Sequence, residues 1–180
     1  MISQVAIRYA QALFELAEEE NLTSEIYSEI FDLNKIISSN KNIYDVLRSP
    51  FIGREEKKDV VAKLFADKVH KETKNFLMVL VDKDRTTELE SIVQSYKQMM
   101  NDKFNIAEGK VYTAIPLSQE QISELEKKLS AKYNKNVQLV NKIDKDILGG
   151  VLVRIGNEEI DGTVKSRLDD LSENLSQVIS

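Results

Sequence analysis

Through residue 105 apolar side chains recur every three to four positions, and after Gly109 they alternate. A segment with a helical period cannot settle as a strand, nor the reverse. The switch therefore fixes a mainly α fold in two parts: an N-terminal six-helix bundle over 1–105, then a small C-terminal α+β domain over 106–180. The first helix starts after Ser3 and runs to about residue 20. Thr23 or Ser24 caps a second, whose Ile26, Ile30, Leu33 and Ile37 share one face. A short helical turn near 42–47 stops before Ser49-Pro50, because proline disfavours helix in the residue ahead of it. A fourth helix is expected over Arg54–Phe65, with Val60, Val61, Leu64 and Phe65 apolar. A fifth covers Lys71–Asp82, and a sixth, 86–104, carries Leu89, Ile92, Val93, Tyr96 and Met100. Short loops between such helices make a bundle.

In the second part, Val111, Thr113 and Ile115 alternate as a strand that Pro116 ends. Ser118 and Gln121 have the spacing of a capping box, ahead of a helix with Ile122, Leu125 and Leu129 inward. Val137, Leu139 and Ile143 mark a second strand. The segment 148–171 then reads LGGVLVRIGNEEIDGTVKSRLDDL. Gly149 and Gly150 open a third strand, Gly150–Ile155, through a bulge or sharp turn that only glycine tolerates. A phosphate loop is rejected, since its glycines precede a helix and end in Gly-Lys-Ser/Thr. Gly156 and Asn157 supply positive φ for a tight turn into 158–160. Asp161 and Gly162 follow, with Asp161 expected to cap a last helix striped by Val164, Leu168, Leu171, Leu175 and Val178. Nothing in this block is arranged for catalysis; it holds a shape.

The chemistry of the chain is sparse. It has no cysteine, so disulfides, thiolate nucleophiles and Cys-ligated metals are excluded. The single histidine, His70, has no second ligand nearby and reads as a solvated residue at a helix start. Charge is −3 over 1–105 and −2 over 106–180, without the basic excess that phosphate backbones demand. Lys127, Lys128, Lys132, Lys135, Lys142 and Lys145 make the second half locally basic, but Glu124, Glu126, Asp144 and Asp146 interleave with them. That pattern supports one alternative, a small nucleic-acid-binding or adaptor protein. The longest apolar run, 76–81, falls far short of the ~20 residues a membrane span needs. A soluble chain is expected, with no cofactor.

The first helix carries more apolar surface than one job requires. At about 100° per residue, Val5, Tyr9, Ala12 and Leu16 form one stripe. Ala6, Ala10, Leu13 and Ala17 form another beside it. A surface helix needs a single face of that width. The fifth helix is apolar all round over Phe76, Leu77, Met78, Val79, Leu80 and Val81. Either both helices lie central in the bundle, or a groove between them receives an amphipathic helix from a partner.

Several blocks recur in order along the whole chain. They are Arg8-Tyr9-Ala10-x-Ala12-Leu13-Phe14, Leu47-x-Ser49-Pro50, Asn75-Phe76-Leu77 and Arg85-x-x-x-Leu89-x-x-Ile92-x-x-x-Tyr96. Val111-x-Thr113-Ala114-x-Pro116-Leu117, Ile143-Asp144-x-x-Ile147-x-Gly149-Gly150-Val151-x-Val153-Arg154-x-Gly156 and Asp161-Gly162-Thr163-x-Lys165-x-Arg167-Leu168 complete the set. Together they resemble the delta subunit family of F-type ATP synthase, that of the mitochondrial oligomycin-sensitivity-conferring protein. The resemblance implies a non-catalytic stator subunit. Its N-terminal domain would bind the N-terminal helix of an alpha subunit on the catalytic alpha/beta hexamer, in a groove of helices 1 and 5. Tyr9, Ala12, Leu13, Leu16, Phe76, Val79 and Leu80 are the candidate groove residues. The C-terminal domain would hold the C-terminal end of the b-subunit dimer. Gly149, Gly150, Gly156, Asp161 and Gly162 are its candidate structural motif. The subunit would then keep the head from turning with the rotor during proton- or sodium-driven ATP synthesis. No nucleic acid is implied. Membrane association would come only through the complex, at the cytoplasmic face of a bacterial plasma membrane or its organellar equivalent.

Overall fold

The computed structural model describes residues 3–49, 51–65 and 69–169. Pro50, the Leu64 side chain and the predicted stripe residues Leu171, Leu175 and Val178 lie outside the described residues. The chain divides into two compact units between Met100 and Asn101.

The first unit is helical. α1 spans Gln4–Glu19, and the Ser3 hydroxyl caps it by accepting from Ala6 N at 3.0 Å. α2 spans Thr23–Ser39, but neither Thr23 nor Ser24 caps it. The helix begins one residue early, at an N-cap Leu22 with no side-chain bond, because Thr23 is buried and turned into the core. α3 covers Lys41–Arg48, capped by Asn40, and stops at Ser49 as the following proline requires. α4 covers Arg54–Phe65 and α5 covers Lys71–Asp82. The predicted sixth helix starts as a 3-10 turn, Thr86–Glu88, before α6 at Leu89–Lys103. The tighter turn lets Thr86 Oγ1 donate to Leu47 O at 2.9 Å.

The core of this unit closes around Tyr96, Leu13, Ile26, Ile30, Leu80 and Ile92, all at most 2% exposed. The Tyr96 ring meets Phe14 edge-on at 5.2 Å and stacks on Tyr27 at 6.2 Å. Its hydroxyl donates to Thr23 O at 3.1 Å, so the one polar atom of the ring is satisfied inside the core.

The second unit is a four-stranded sheet in the order β2-β1-β3-β4 with α7 against β2. β1 spans Ile106–Thr113, not the 111–115 read from alternation. Gly109 hid the strand's first half. A side chain at Gly109 would come within 2.9 Å of Ile155 Cγ1, Arg154 O and Leu139 Cδ2, so glycine sits inside the strand for close approach. At the far end, Thr113 Oγ1 bonds Ile115 O and turns the chain out of the sheet before Pro116. α7, Gln119–Tyr133, starts with the full capping box of Ser118 and Gln121. It crosses over to β2, Asn136–Ile143, which runs parallel to β1. β3, Gly150–Ile155, and β4, Glu158–Thr163, form an antiparallel hairpin on the other side of β1. Val111, Val137, Leu139, Val153 and Leu129 of α7 make a second, smaller core.

Two details of the hairpin differ from expectation. In the tight turn Gly156 alone has positive φ, +58°, and Asn157 does not share it. A glycine at the first central position is what a type II′ turn uses. Asp161 lies within β4 and does not cap the final helix. That helix begins at Val164, and Thr163 Oγ1 accepts from Ser166 N at 3.3 Å in the capping position.

Candidate partner-docking groove

α1 packs against α2 and α5, and the contact separates its two apolar stripes. Ala6, Ala10, Leu13 and Ala17 point into the core, none above 2% exposed. Small residues there let the neighbouring helices come close. The other stripe is not absorbed. Val5 and Tyr9 are half-buried, Ala12 is exposed, and Leu16 remains 39% exposed. α5 divides likewise: Thr73, Leu77, Leu80 and Val81 are buried, Phe76 is half-buried, and Val79 is 44% exposed.

Tyr9 and Phe76 join the two helices edge-to-face, with ring centroids 6.4 Å apart. Along α1, Ala12 and Leu16 continue the line that Tyr9 starts, one turn at a time; along α5, Val79 follows Phe76 by three residues. Tyr9, Ala12 and Leu16 of α1 and Phe76 and Val79 of α5 are thus the apolar side chains left open or half-open, and Tyr9 and Phe76 are the pair in contact. Leu13 and Leu80 are corrections to the sequence reading. At 2% and 0% exposure both belong to the bundle core, because they lie on the inward arcs of their helices, and they offer no surface to a partner.

The start of α5 is anchored by a carboxylate that sequence reading missed. Glu29 of α2 accepts from the His70 backbone N–H at 2.9 Å, and its oxygen stands 2.6 Å from His70 Nδ1. The Thr73 hydroxyl donates to the same carboxylate at 2.5 Å. A negative group at this helix start satisfies orphan donors and favours the dipole. His70 is thus tied at the N-cap of α5 rather than simply solvated. No local pattern could reveal a partner 41 residues away.

In the second unit, Gly149, Gly150, Gly156, Asp161 and Gly162 surround the β3–β4 hairpin. Gly150 has φ +84°, and a side chain there would sit 2.4 Å from Gly162 O and 2.8 Å from Thr163 Cα. Gly149 lies against Val164, with its carbonyl accepting from Val164 N at 2.9 Å. The Asp161 carboxylate accepts from Thr163 N at 2.8 Å; that bond first, then the Thr163 side chain, holds its pKa below the usual carboxylate value. Gly149, Gly150, Asp161 and Gly162 fix the hairpin's exit into the final helix, while Gly156 makes its turn. Among the described residues no group of three acids or histidines could hold a metal, and no helix is long and apolar enough to cross a membrane.

The model of the family described as ATP synthase delta (OSCP) subunit matches residues 5–175. The chain belongs to that family. It is 52% identical over 181 residues to the ATP synthase subunit delta of Clostridioides difficile (strain 630), covering 100% of both chains. The same subunit of Alkaliphilus oremlandii (strain OhILAs) is 37% identical over 179 residues, 99% of each. Among solved structures, a chain of the Toxoplasma gondii mitochondrial ATP synthase hexamer shares the fold, with a TM-score of 0.68, 24% identity and 99% coverage of both chains. A chain of the Polytomella F-ATP synthase covers 56% of this one, and 89% of itself, at a TM-score of 0.52 and 17% identity. Delta-family membership agrees with the helical unit followed by a small sheet unit. The lysines of α7 do not argue against it: Lys128 is paired with Glu124 at 2.7 Å and Lys132 lies over the Tyr133 ring.

Proposed function

We propose that this delta-family subunit of an F-type ATP synthase works as a non-catalytic link of the stator. Its first unit holds the catalytic head by taking the N-terminal helix of an alpha subunit into the α1–α5 seam. Its second unit holds the C-terminal end of the b-subunit dimer. The observation that carries this reading is the stripe of Tyr9, Ala12 and Leu16, left open beside Phe76 and Val79 although the core under it is already filled. An amphipathic helix laid along such a seam reads as anchors spaced three and four residues apart. In the second unit Ile115, Leu148 and Leu168 are 72%, 82% and 58% exposed, apolar surface of the sort a stalk helix covers.

The task is endurance under torque, not turnover. Slow dissociation meets it, and affinity differences between related complexes lie mostly in the off-rate. A stable interface of this kind buries roughly 1,200–2,000 Å² in all. The subunit then reaches the membrane only through the complex, at the cytoplasmic face of a bacterial cell.

A peptide of the alpha-subunit N-terminus provides the test. It should bind the intact chain, and Ala12→Arg should weaken that binding at least tenfold while the thermal transition stays in place. Equal affinity for the wild type and Ala12→Arg would remove the seam from the account.

A further inference from the structure

A second feature of the helical unit lies in α3, α4 and the 3-10 turn and owes nothing to the seam. Lys57 of α4 is buried, its side chain only 6% exposed. An ammonium carries three donors and no acceptor. Among the described residues none of the three finds a hydrogen-bond acceptor: its one ion partner is Asp84 Oδ1 at 4.0 Å. That carboxylate is already engaged, because Asp84 Oδ2 takes Arg54 Nη2 at 2.6 Å and Nε at 3.2 Å. The Nζ itself is not sealed, since no fully buried side-chain nitrogen or oxygen among the described residues lacks a partner; its free donors open to solvent at the mouth of a cavity.

Lys57 lines an open cavity of about 550 Å³ together with Arg48, Arg54, Asp84, Thr86 and Thr87. Three cations face one carboxylate there. The Arg48 guanidinium rests over the Tyr44 ring at 4.7 Å and makes no ion pair among the described residues. Its fork of donors is the group that matches planar or tetrahedral oxyanions. We propose that this cavity is an oxyanion site, with Lys57 as its buried charge, Arg48 and Arg54 as its clamp and the Thr87 hydroxyl as a further donor. Phosphate and a partner's carboxylate share the chemistry it recognises. Leu47 and Ile52 also line the cavity and give it an apolar part for which a free ion has no use.

The intact chain, isotope-labelled in chloride buffer at constant ionic strength, is titrated with inorganic phosphate. Saturable shifts are expected at the amides of Lys57, Thr86 and Thr87. Lys57→Met, which keeps the buried stem, and Arg48→Gln, which lies at an exposed position and leaves the fold intact, should each weaken binding tenfold or more. No saturable response, or wild-type affinity in both variants, overturns the site. A second arm measures binding to the alpha/beta head. If both variants weaken it and phosphate competes, the physiological ligand is a carboxylate of the head; if head binding is unchanged while phosphate affinity is lost, it is free phosphate. Leu16→Glu, on the seam, should keep the phosphate response, so failure here and failure of the docking reading are told apart.

Discussion

Gly150 shows how much one residue can fix. Its φ of +84° lies where side chains are strained, and the space beside it is occupied by Gly162 O and Thr163 Cα. Gly150→Ala should therefore cost the second unit about 2–4 kcal/mol, strain and overpacking together. Gly156→Ala, with positive φ but open space around it, should cost about 1 kcal/mol. Urea unfolding followed at the sheet separates the two. Tyr96 is the matching case in the first unit. Removing its hydroxyl with Tyr96→Phe should cost about 1–2 kcal/mol by chemical denaturation, because Thr23 O loses a buried partner. Burial first, then Glu18 and Glu25, raises the Tyr96 pKa above that of a free phenol. The folded state thus keeps a proton that the unfolded chain gives up near pH 10. Its contribution is whole below that value and fades as pH rises further, and Tyr96→Phe should flatten that alkaline decline. Of these residues the sequence shows Gly150 clearly, since a glycine pair ahead of an alternating run has few uses. Gly109 and Glu29 were not legible: one mimics a strand boundary, and the other acts across 41 residues.

At the scale of elements, patterning located every helix and strand of the described chain, and the errors cluster at ends. Ends are decided by caps, and caps are decided by what lies nearby in space. Thr23 looks like a cap but is buried; Asp161 looks like one but lies in β4, and Thr163 takes the role. The surplus stripe of α1 was legible because a helix that fills one core needs one apolar face. Which residues of the two stripes would stay open was not, since Leu13 and Leu16 are alike in type and differ only in angle. The difference is testable. Leu16→Glu should leave the melting temperature within a few degrees and weaken binding of the alpha-subunit peptide, whereas Leu13→Ala should cost about 2–5 kcal/mol in stability. Circular dichroism and titration on the same two variants check both halves. The Asp161 carboxylate offers an acid-side test of the hairpin exit. Its pKa is lowered on folding, so its contribution is present above the ordinary carboxylate value and lost as pH falls below it. Protection of the Thr163 amide, taken relative to its intrinsic exchange rate at each pH, should fall in that acid range, and Asp161→Asn should abolish that fall.

For the molecule as a whole, the two cores share no residue, and each is closed by its own elements. The place to separate them follows from hydrogen bonds. α6 continues to Lys103, so a cut at Met100 would break a helix. Asn105 already belongs to the sheet: its carbonyl accepts from Asn136 N at 2.8 Å and its side-chain amide donates to Asn134 O at 2.9 Å. Cutting before Asn105 leaves every element whole. Residues 1–104 should then fold alone and bind the alpha-subunit peptide with the affinity of the intact chain. Residues 105–180 should fold less firmly, because a core of Val111, Leu129, Val137, Leu139 and Val153 is small and a unit of this size buries a lesser share of its surface. Binding to the folded form alone stabilises by mass action. The isolated second fragment should therefore melt well below the first, and its transition should rise on adding the C-terminal part of the b subunit. If the first fragment folds yet loses the alpha peptide, head binding needs both units, and the assignment of one partner to each unit falls.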